Sequence, residues 1–304
     1  MTETGKIILE RYQVRKSKKQ KTAFIEFMQS RYPALAVEAG RLFHNRNLVL
    51  GDVEKAQIVV GAHYDTCAQL PFPNFLPPKN IVLYIGYSLL ISIPFFAVGG
   101  LCAWLVSLAD ALDGLEGLAM YVGTLGSLFG VMMGGPANKH TVNDNTSGVL
   151  TLVQLYETLS EEERQRVAFV FFDNEENGLI GSSRFAKVHK KDMKGKLLLN
   201  FDCVSDGDYL LFVMQKGAYK LAEQLRAAFL PCEGKEVLVE KVSNTMYPSD
   251  QANFPVGVGV AAMKKKKGIG LYIDRIHTKK DTVLMQENLA CLVEGTKRYL
   301  EQNR

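Results

Sequence analysis

The sequence predicts an α/β fold with a mixed, mostly parallel central sheet, helices on both of its faces, and an inserted hydrophobic helical hairpin. Three observations lead to this prediction. After residue 146, apolar runs of strand length alternate with stretches of helix length, as in proteins with parallel sheets. Residues 58–62 are apolar throughout, as expected of a strand that is buried on both faces. Residues 81–138 contain only three charged side chains, which is unusual for a soluble domain.

Before the insertion, the sequence predicts one helix and three strands. Residues 19–31 have the apolar spacing of an amphipathic helix that ends before Pro33. The predicted strands cover residues 34–39 and 41–50, and a third begins at residue 57. We interpret the basic residues 15–21 as a solvated face, which would contact anionic lipid if the protein is attached to a membrane.

After the insertion, strands and helices alternate to the end of the chain, which indicates a mostly parallel sheet covered on both faces. The predicted helices cover residues 146–159, 178–190, 218–230 and 283–303. The predicted strands cover residues 166–173, 197–204, 209–214, 236–242, 256–263 and 270–275.

The composition limits the classes of function and the compartment. A net charge of +4 over 304 residues is too small to indicate nucleic-acid binding. The five cysteines are odd in number and show no C-x-x-C spacing, so we expect no disulfide framework and a reducing compartment. Residues 1–20 are polar and basic and contain no apolar segment of signal-peptide length.

Two uncharged runs, residues 81–109 and 117–138, predict a transmembrane hairpin that contacts membrane lipid through residues 81–138. Gly126, Gly130 and Gly134 form a small-residue face on the second run, which would allow a homo-oligomer to form. The alternative is a hydrophobic lid or dimerisation hairpin on a soluble protein.

The hairpin divides the chain into a catalytic domain, residues 1–76 and 140–304, and an insertion, residues 77–139. A hairpin returns the chain to the side that it left, so both catalytic segments would share one face of the membrane. Lys79 and Lys139 flank the hairpin on that side, whereas the tip carries only acids. The positive-inside tendency therefore predicts that the catalytic domain lies on the cytoplasmic side.

Side chains that bind metals follow the predicted strands or precede helices at five places. They are His63 with Asp65, Asp144, Glu175 with Glu176, Asp202, and His277 with Asp281. Two imidazoles and three carboxylates can hold two divalent ions if one carboxylate bridges them, and this mixed nitrogen and oxygen set suits zinc. Paired metals activate a water molecule for attack on a carbonyl, and a further glutamate can accept its proton.

The motifs around these residues resemble the two-zinc aminopeptidase family of metallopeptidases, which also includes glutamate carboxypeptidases, transferrin-receptor ectodomains and glutaminyl cyclases. The motifs are Gly-Ala-His63-Tyr-Asp65-Thr, Asn-Asp144-Asn-Thr-Ser-Gly, Glu175-Glu176-Asn-Gly-Leu-Ile-Gly-Ser, Asn-Phe-Asp202 and His277-Thr-Lys-Lys-Asp281-Thr. The resemblance runs from about residue 45 to the C-terminus, apart from the hydrophobic insertion. It implies a zinc-exopeptidase, or aminopeptidase-like, fold.

The resemblance also implies roles for these residues. Asp144 would bridge two zinc ions. His63 and Asp202 would complete one site, and Glu176 and His277 the other. Glu175 would be the general base, and Asp65 would orient His63 through its other ring nitrogen.

One departure from the family pattern lies beside the general base. The position before Glu175 is commonly Gly in the family and is Asn174 here; Asn is the next most tolerant residue for positive φ, so we expect the turn to survive. We place the substrate pocket in the loops around residues 247–254 and 264–270.

The resemblance predicts a membrane-attached hydrolase, a metallo-aminopeptidase that removes N-terminal residues from short peptides. A carboxypeptidase or a glutaminyl cyclase on the same fold is an alternative, and the cyclases work with one zinc. An alternative of another class is a non-catalytic receptor or scaffold relative, although no ligand of the family pattern is missing from this chain.

Overall fold

The computed structural model describes residues 1–40, 44–230 and 232–303. Its strands are β1 (Ala36–Ala39), β2 (Arg46–Leu50), β3 (Ile58–His63), β4 (Val167–Phe172), β5 (Leu197–Phe201), β6 (Tyr209–Met214), β7 (Glu236–Lys241), β8 (Gly257–Lys266) and β9 (Gly270–Tyr272). Its helices are α1 (Glu3–Arg11), α2 (Lys18–Arg31), α3 (Ile81–Ser107), α4 (Glu116–Gly134), α5 (Gly148–Thr158), α6 (Glu161–Arg164), α7 (Ile180–Val188), α8 (Ala222–Phe229) and α9 (Gln286–Gln302). Residues 41–43 of the strand predicted over 41–50 lie outside the described residues.

The strands form one mixed sheet in the order β1-β2-β4-β3-β5-β8-β6-β7, with β9 paired to β8. The four central strands β4, β3, β5 and β8 are mutually parallel. Antiparallel pairs flank this centre, between β2 and β4 on one side and between β6 and β8 on the other. The predicted fold class is therefore confirmed.

Both faces of the sheet are buried. Along β4, alternate side chains belong to two different hydrophobic cores, one on each face. Val167, Phe169 and Phe171 belong to the larger core on one face, against α1, α2, α5, α8 and α9. Ala168, Val170 and Phe172 belong to a second core on the other face, with Phe185 of α7. Because successive side chains of a strand point to opposite faces, a strand covered on both sides must be apolar at every position.

The amino-terminal segment differs from the sequence prediction. Residues 3–11 form helix α1, which we did not predict; Thr2 caps it, and Ile8 is fully buried in the main core. The interpretation of residues 15–21 as a solvated face is wrong for two of its members, because Arg15 and Lys21 are buried. A short charged segment gives no periodic signal of this burial, which depends on partners far away in the sequence.

A disulfide bond joins Cys232 to Cys291, whereas the sequence analysis expected no disulfide framework. The two Cα atoms are 5.5 Å apart, and the bond links the loop after α8 to α9. The spacing of 59 residues gave no local signal of this pairing. Cys67, Cys102 and Cys203 are free thiols.

Helices α3 and α4 form a hairpin, and both are long and apolar enough to cross a membrane. Nearly all large apolar side chains that are exposed in the described part of the chain lie between residues 81 and 133. The helices pack closely at Gly99 and Gly123, where an added Cβ atom would collide with Thr124 or Cys102 of the opposite helix. Among the described residues, no atom lies within 4 Å of a Cβ built on the glycine face Gly126, Gly130 and Gly134.

Candidate metal centre

The five side chains that the resemblance implies as metal ligands converge at the carboxyl edge of the parallel strands. His63 ends β3, Glu176 follows β4, Asp202 follows β5, Asp144 precedes α5, and His277 lies in the loop after β9. This is the edge at which open α/β sheets bind ligands, because the loops after parallel strands meet there.

Asp144 lies between the two histidines, and each of its carboxylate oxygens faces a different imidazole. Oδ1 lies 3.3 Å from Nε2 of His63, and Oδ2 lies 2.9 Å from Nε2 of His277. The second neighbour of His63 is Asp202, at 3.5 Å, and the second neighbour of His277 is Glu176, at 3.3 Å. The cluster thus has two halves that share one carboxylate.

The amides on both sides of Asp144 fix its position. The side chain of Asn145 donates to the carbonyl of Phe201 at 2.9 Å and accepts from the N–H of Gly148 at 3.0 Å. Asn143 accepts from the N–H groups of Ser205 and Asp206 at 2.8 and 3.1 Å. The polar segment before α5 therefore connects the ends of β3 and β5 to the start of the helix.

Asp281 supports the same segment from the opposite side. Its two carboxylate oxygens accept hydrogen bonds from the N–H groups of Asn143, at 2.6 Å, and Asp144, at 3.0 Å. Burial and the charge of Asp144 raise the pKa of Asp281 to about 8. The sequence analysis named Asp281 only as a companion of His277, whereas its contacts position Asp144.

Asp65 contacts both His63 and the turn that carries the two glutamates. Nδ1 of His63 is 3.1 Å from the Asp65 carbonyl oxygen and 3.7 Å from its carboxylate. The carboxylate accepts from the N–H groups of Glu175, at 3.0 Å, and Glu176, at 3.2 Å. Asp65 therefore fixes the backbone of Glu175 and Glu176 as well as facing the histidine.

The turn before Glu175 depends on a buried ion pair. Asn174 has a φ of 57°, which agrees with the expectation that Asn can replace Gly there. Nζ of Lys21 contacts Oδ1 of Asp173 and Oδ1 of Asn174, each at 2.6 Å. Lys21 of helix α2 thus holds this turn through its contacts with Asp173 and Asn174. Sequence patterns did not indicate this contact.

The residues of the cluster fit bound cations. Oε1 of Glu176 and Oδ1 of Asp202 are buried and accept no hydrogen bond from any described residue. Burial raises the pKa of Glu176 to about 8, and burial together with neighbouring carboxylates raises that of Glu175. Buried carboxylates at this density need cations to stay ionised, and three overlapping groups of donor atoms lie close enough together to hold them.

Two further residues lie at the cluster: the sequence analysis did not identify Cys67, and it predicted Tyr247 only as part of a pocket loop. Sγ of Cys67 lies within 4.8 Å of donor atoms of Asp144, Glu176 and His277. The hydroxyl group of Tyr247 donates to the carbonyl of Asp202 at 2.9 Å. Both residues lie in loops, where a single sequence gives no periodic signal.

The cavity over the cluster has a volume of about 170 Å³, and Glu175, Tyr84 and Tyr247 line it together with the candidate ligands. Tyr84 belongs to α3, so the hairpin borders the site directly. The prediction that residues 247–254 contribute to the pocket agrees with Tyr247 and Pro248, which line it. Residues 264–270 do not line this cavity, because they form the end of β8 and the turn to β9.

Comparisons with known proteins identify a family and structures of similar fold. The sequence model of peptidase family M28 matches residues 124–290, which is more than half of the chain. The LapA aminopeptidase of Legionella pneumophila superposes with a TM-score of 0.56 at 13% identity, over 99% of this chain and 70% of that chain. LapB of the same organism gives a TM-score of 0.54 at 14% identity, over 99% and 70% of the chains.

A third structure, PhTET1-12s, is a dodecamer in its asymmetric unit and gives a TM-score of 0.52 at 13% identity over 98% of both chains. At such identities these likenesses show the shared fold alone. No curated protein sequence matches the chain significantly.

The fold and the family match define a metallopeptidase, a hydrolase with its candidate metal centre at the edge of the central sheet. The chain belongs to peptidase family M28.

Proposed function

We propose that this protein is a zinc-dependent aminopeptidase that removes N-terminal residues from short peptides. The observation that carries the proposal is the position of Asp144, whose two carboxylate oxygens face two imidazoles at 3.3 and 2.9 Å. A carboxylate placed in this way suits a bridge between two cations, and each half of the cluster then has one further carboxylate. Aminopeptidases among the structural neighbours of the same fold support this choice within the family.

Two zinc ions are proposed to bind in these halves, one held by His63 and Asp202 and the other by Glu176 and His277, with Asp144 shared. When bound, zinc supplies the Lewis acidity that activates water and polarises the scissile carbonyl. The chain's own contribution is to fix the ligands, since Asp65 and Asp281 hold the backbones of Glu176 and Asp144.

Glu175 is the proposed general base. Its carboxylate lies within 4.8 Å of donor atoms of His63 and Glu176, so it can reach a water molecule at the cluster. Glu175 would take a proton from this water and deliver it to the amine that leaves. The backbone N–H of Glu175 donates to the Asp65 carboxylate at 3.0 Å, and this hydrogen bond fixes the backbone that carries the Glu175 side chain.

The small acidic cavity supports cleavage at the N-terminus. A volume of about 170 Å³ has room for a small part of a peptide, and its carboxylates would attract the free ammonium group of a substrate. An internal peptide bond offers no such charge.

The test compares the wild-type protein with Glu175→Gln, using aminoacyl anilides and dipeptides after zinc loading. Glu175→Gln should lower kcat by about a hundredfold or more while zinc content is unchanged, because only the proton transfer is lost. Glu162→Gln is the matched control, since Glu162 is exposed on α6 and does not line the cavity over the cluster. Equal activity of the wild type and Glu175→Gln would contradict the assignment.

The same experiment separates the alternatives. One zinc per chain, with cyclisation of N-terminal glutamine and no hydrolysis, would identify a glutaminyl cyclase. Release of C-terminal residues would identify a carboxypeptidase. Bound zinc without any turnover would favour a non-catalytic receptor or scaffold.

The hairpin of α3 and α4 is proposed to cross the membrane as an insertion, residues 77–139, in a catalytic domain made of residues 1–76 and 140–304. The basic flanks predict that this domain is cytoplasmic, whereas the Cys232–Cys291 bond is more usual in an oxidising compartment. Protease cleavage of the loop between α3 and α4 in intact and in opened cells tests the orientation. Cleavage in opened cells alone would overturn the proposed orientation.

A further inference from the structure

An apolar cavity lies between helices α3 and α4. Its volume is about 640 Å³, within the range of about 300–1,000 Å³ that is usual for small-molecule sites. Ile91 and Phe95 of α3, Thr124 and Leu128 of α4, and Phe72 of the preceding loop are among the side chains that line it.

This cavity adjoins the smaller cavity over the candidate metal centre. Asn74 and His277 line both the apolar cavity and the 170 Å³ cavity that contains the cluster. A single molecule can therefore have one end at the metal ligands and the other end between the two helices.

The cavity is elongated along the hairpin. On α4 its lining extends from Gly117 to Met132, a distance of about 22 Å at the rise of an α-helix. A single amino-acid side chain does not fill a space of this length, whereas an aliphatic chain does.

The chemistry of the lining excludes an ordinary polar peptide as the occupant. Peptide groups placed between Ile91, Phe95 and Leu128 would lose their hydrogen bonds to water and find few partners. A second cavity of about 580 Å³ borders the metal centre at Tyr247 and Pro248, and its lining includes Ser243, Asn244 and Thr245. A hydrophilic peptide finds more polar partners in this second cavity than between α3 and α4, so we assign the apolar cavity to a different group.

We infer that the substrates are amphipathic amides, in which a long aliphatic chain on the leaving amine lies between α3 and α4. The inference rests on the proposed aminopeptidase function and names its substrate class. The free amine and the scissile carbonyl occupy the small acidic cavity, and the chain passes Asn74 and His277 into the hairpin. Attack of water breaks the C–N bond and releases an amino acid and a long-chain amine, which takes the proton.

The first experiment measures kcat/KM for leucine N-alkylamides from ethyl to dodecyl, with the full-length protein in nanodiscs. Each methylene that enters the cavity should raise kcat/KM by up to about fourfold, so the longest and shortest substrates should differ by about a hundredfold or more. Equal values across the series, or faster cleavage of a leucine peptide with a hydrophilic extension, would overturn the inference.

A pair of neighbouring variants locates the effect. Ser92 lines the cavity, whereas Ile93 points away from it and is 59% exposed. In Ser92→Trp the ratio of kcat/KM between the longest and the shortest substrate should fall to near one. In Ile93→Trp this ratio should stay as in the wild type. A dependence that survives in Ser92→Trp would show that the chain binds elsewhere.

Binding to Glu175→Gln separates this inference from the proposed function. If Kd for the alkylamides falls with chain length in this variant and Ser92→Trp removes the trend, the cavity assignment holds even without turnover. If the wild type hydrolyses short amides with no chain-length dependence, the function stands and the cavity assignment fails. Loss of co-purified phospholipid in Ser92→Trp, with no change in substrate preference, would assign the cavity to membrane lipid and overturn the inference.

Discussion

The ion pair between Lys21 and Asp173 offers the most direct test of how the fold supports the metal centre. The side chains are 9% and 2% exposed, and Nζ lies 2.6 Å from Oδ1. Lys21→Met keeps the length of the side chain but removes the charge, which leaves the Asp173 carboxylate buried beside Asp65 without its cation.

The expected loss follows from the contacts that Asp173 retains. Removing one partner of a buried pair costs about 3–5 kcal/mol, and the N–H groups of Arg46 and Asn174 still donate to Asp173 at 2.8 and 2.9 Å. We therefore expect the free energy of unfolding to fall by about 3 kcal/mol, the lower end of this range. This loss corresponds to a decrease of about 6–12 °C in the unfolding temperature.

The assay is thermal unfolding of the purified protein in detergent, with Lys19→Met as the control. Lys19 is exposed on the same helix, so its substitution should change the free energy of unfolding by less than about 0.5 kcal/mol.

The pH dependence of Lys21→Met gives a second signature. Burial and the charge of Asp65 raise the pKa of Asp173, and Lys21 opposes this rise. Without Lys21 the folded-state pKa rises further above its unfolded value, so the variant loses stability as pH increases. The difference in unfolding temperature between Lys21→Met and the wild type should therefore increase from acidic to basic pH. Equal unfolding temperatures for Lys21→Met and Lys19→Met at every pH would refute the reasoning.

Three further predictions concern the metal centre and the amino-terminal helix. In metal-free protein, burial raises the pKa of Glu176 to about 8, and neighbouring carboxylates, against the effect of burial, raise that of His277 to about 9. Both values exceed the unfolded ones of 4.5 and 6.5, so the stability from these groups is complete at low pH and is lost as pH rises towards about 9. Calorimetry of chelator-treated protein should show this fall, and excess zinc should remove it. Asp281→Asn leaves one backbone N–H without an acceptor and should weaken zinc affinity about 10–100-fold in a competition titration; unchanged affinity would show that Asp281 does not position Asp144. Ile8→Ala should lower the free energy of unfolding by about 2–5 kcal/mol in chemical unfolding, because Ile8 is fully buried. An unchanged free energy of unfolding would show that α1 does not pack on the core.

The sequence was sufficient for the sheet and for the approximate place of the chemistry. In β3 and β4 every residue is buried, and an uninterrupted apolar run is the local signature of that environment. Polar residues at the ends of parallel strands, such as His63 at the end of β3 and Asp202 after β5, must meet at one edge of the sheet. The convergence of His63, Glu176 and Asp202 therefore follows from strand direction, and the individual roles of the five candidate ligands stay a prediction.

Other features depend on tertiary structure because their partners are distant in the sequence. The burial of Arg15 is an example, since its guanidinium group donates to the carbonyl of Tyr64 and to Thr146, 131 residues away. Burial lowers its pKa to about 10, so it stays charged at neutral pH. A basic segment such as this looks solvated when read alone, because local composition does not report a long-range acceptor.

The sequence by itself determined the strand pattern, the hydrophobic insertion and the donor types of a metal centre, because each is encoded in local runs of residues. Only the tertiary structure decided which groups hold those donors in place. It also decided that Asn74 and His277 line both the acidic cavity and an apolar space between α3 and α4. Such a cavity is formed by surfaces from separate segments, and its shape depends on how closely the helices pack, which no local pattern specifies.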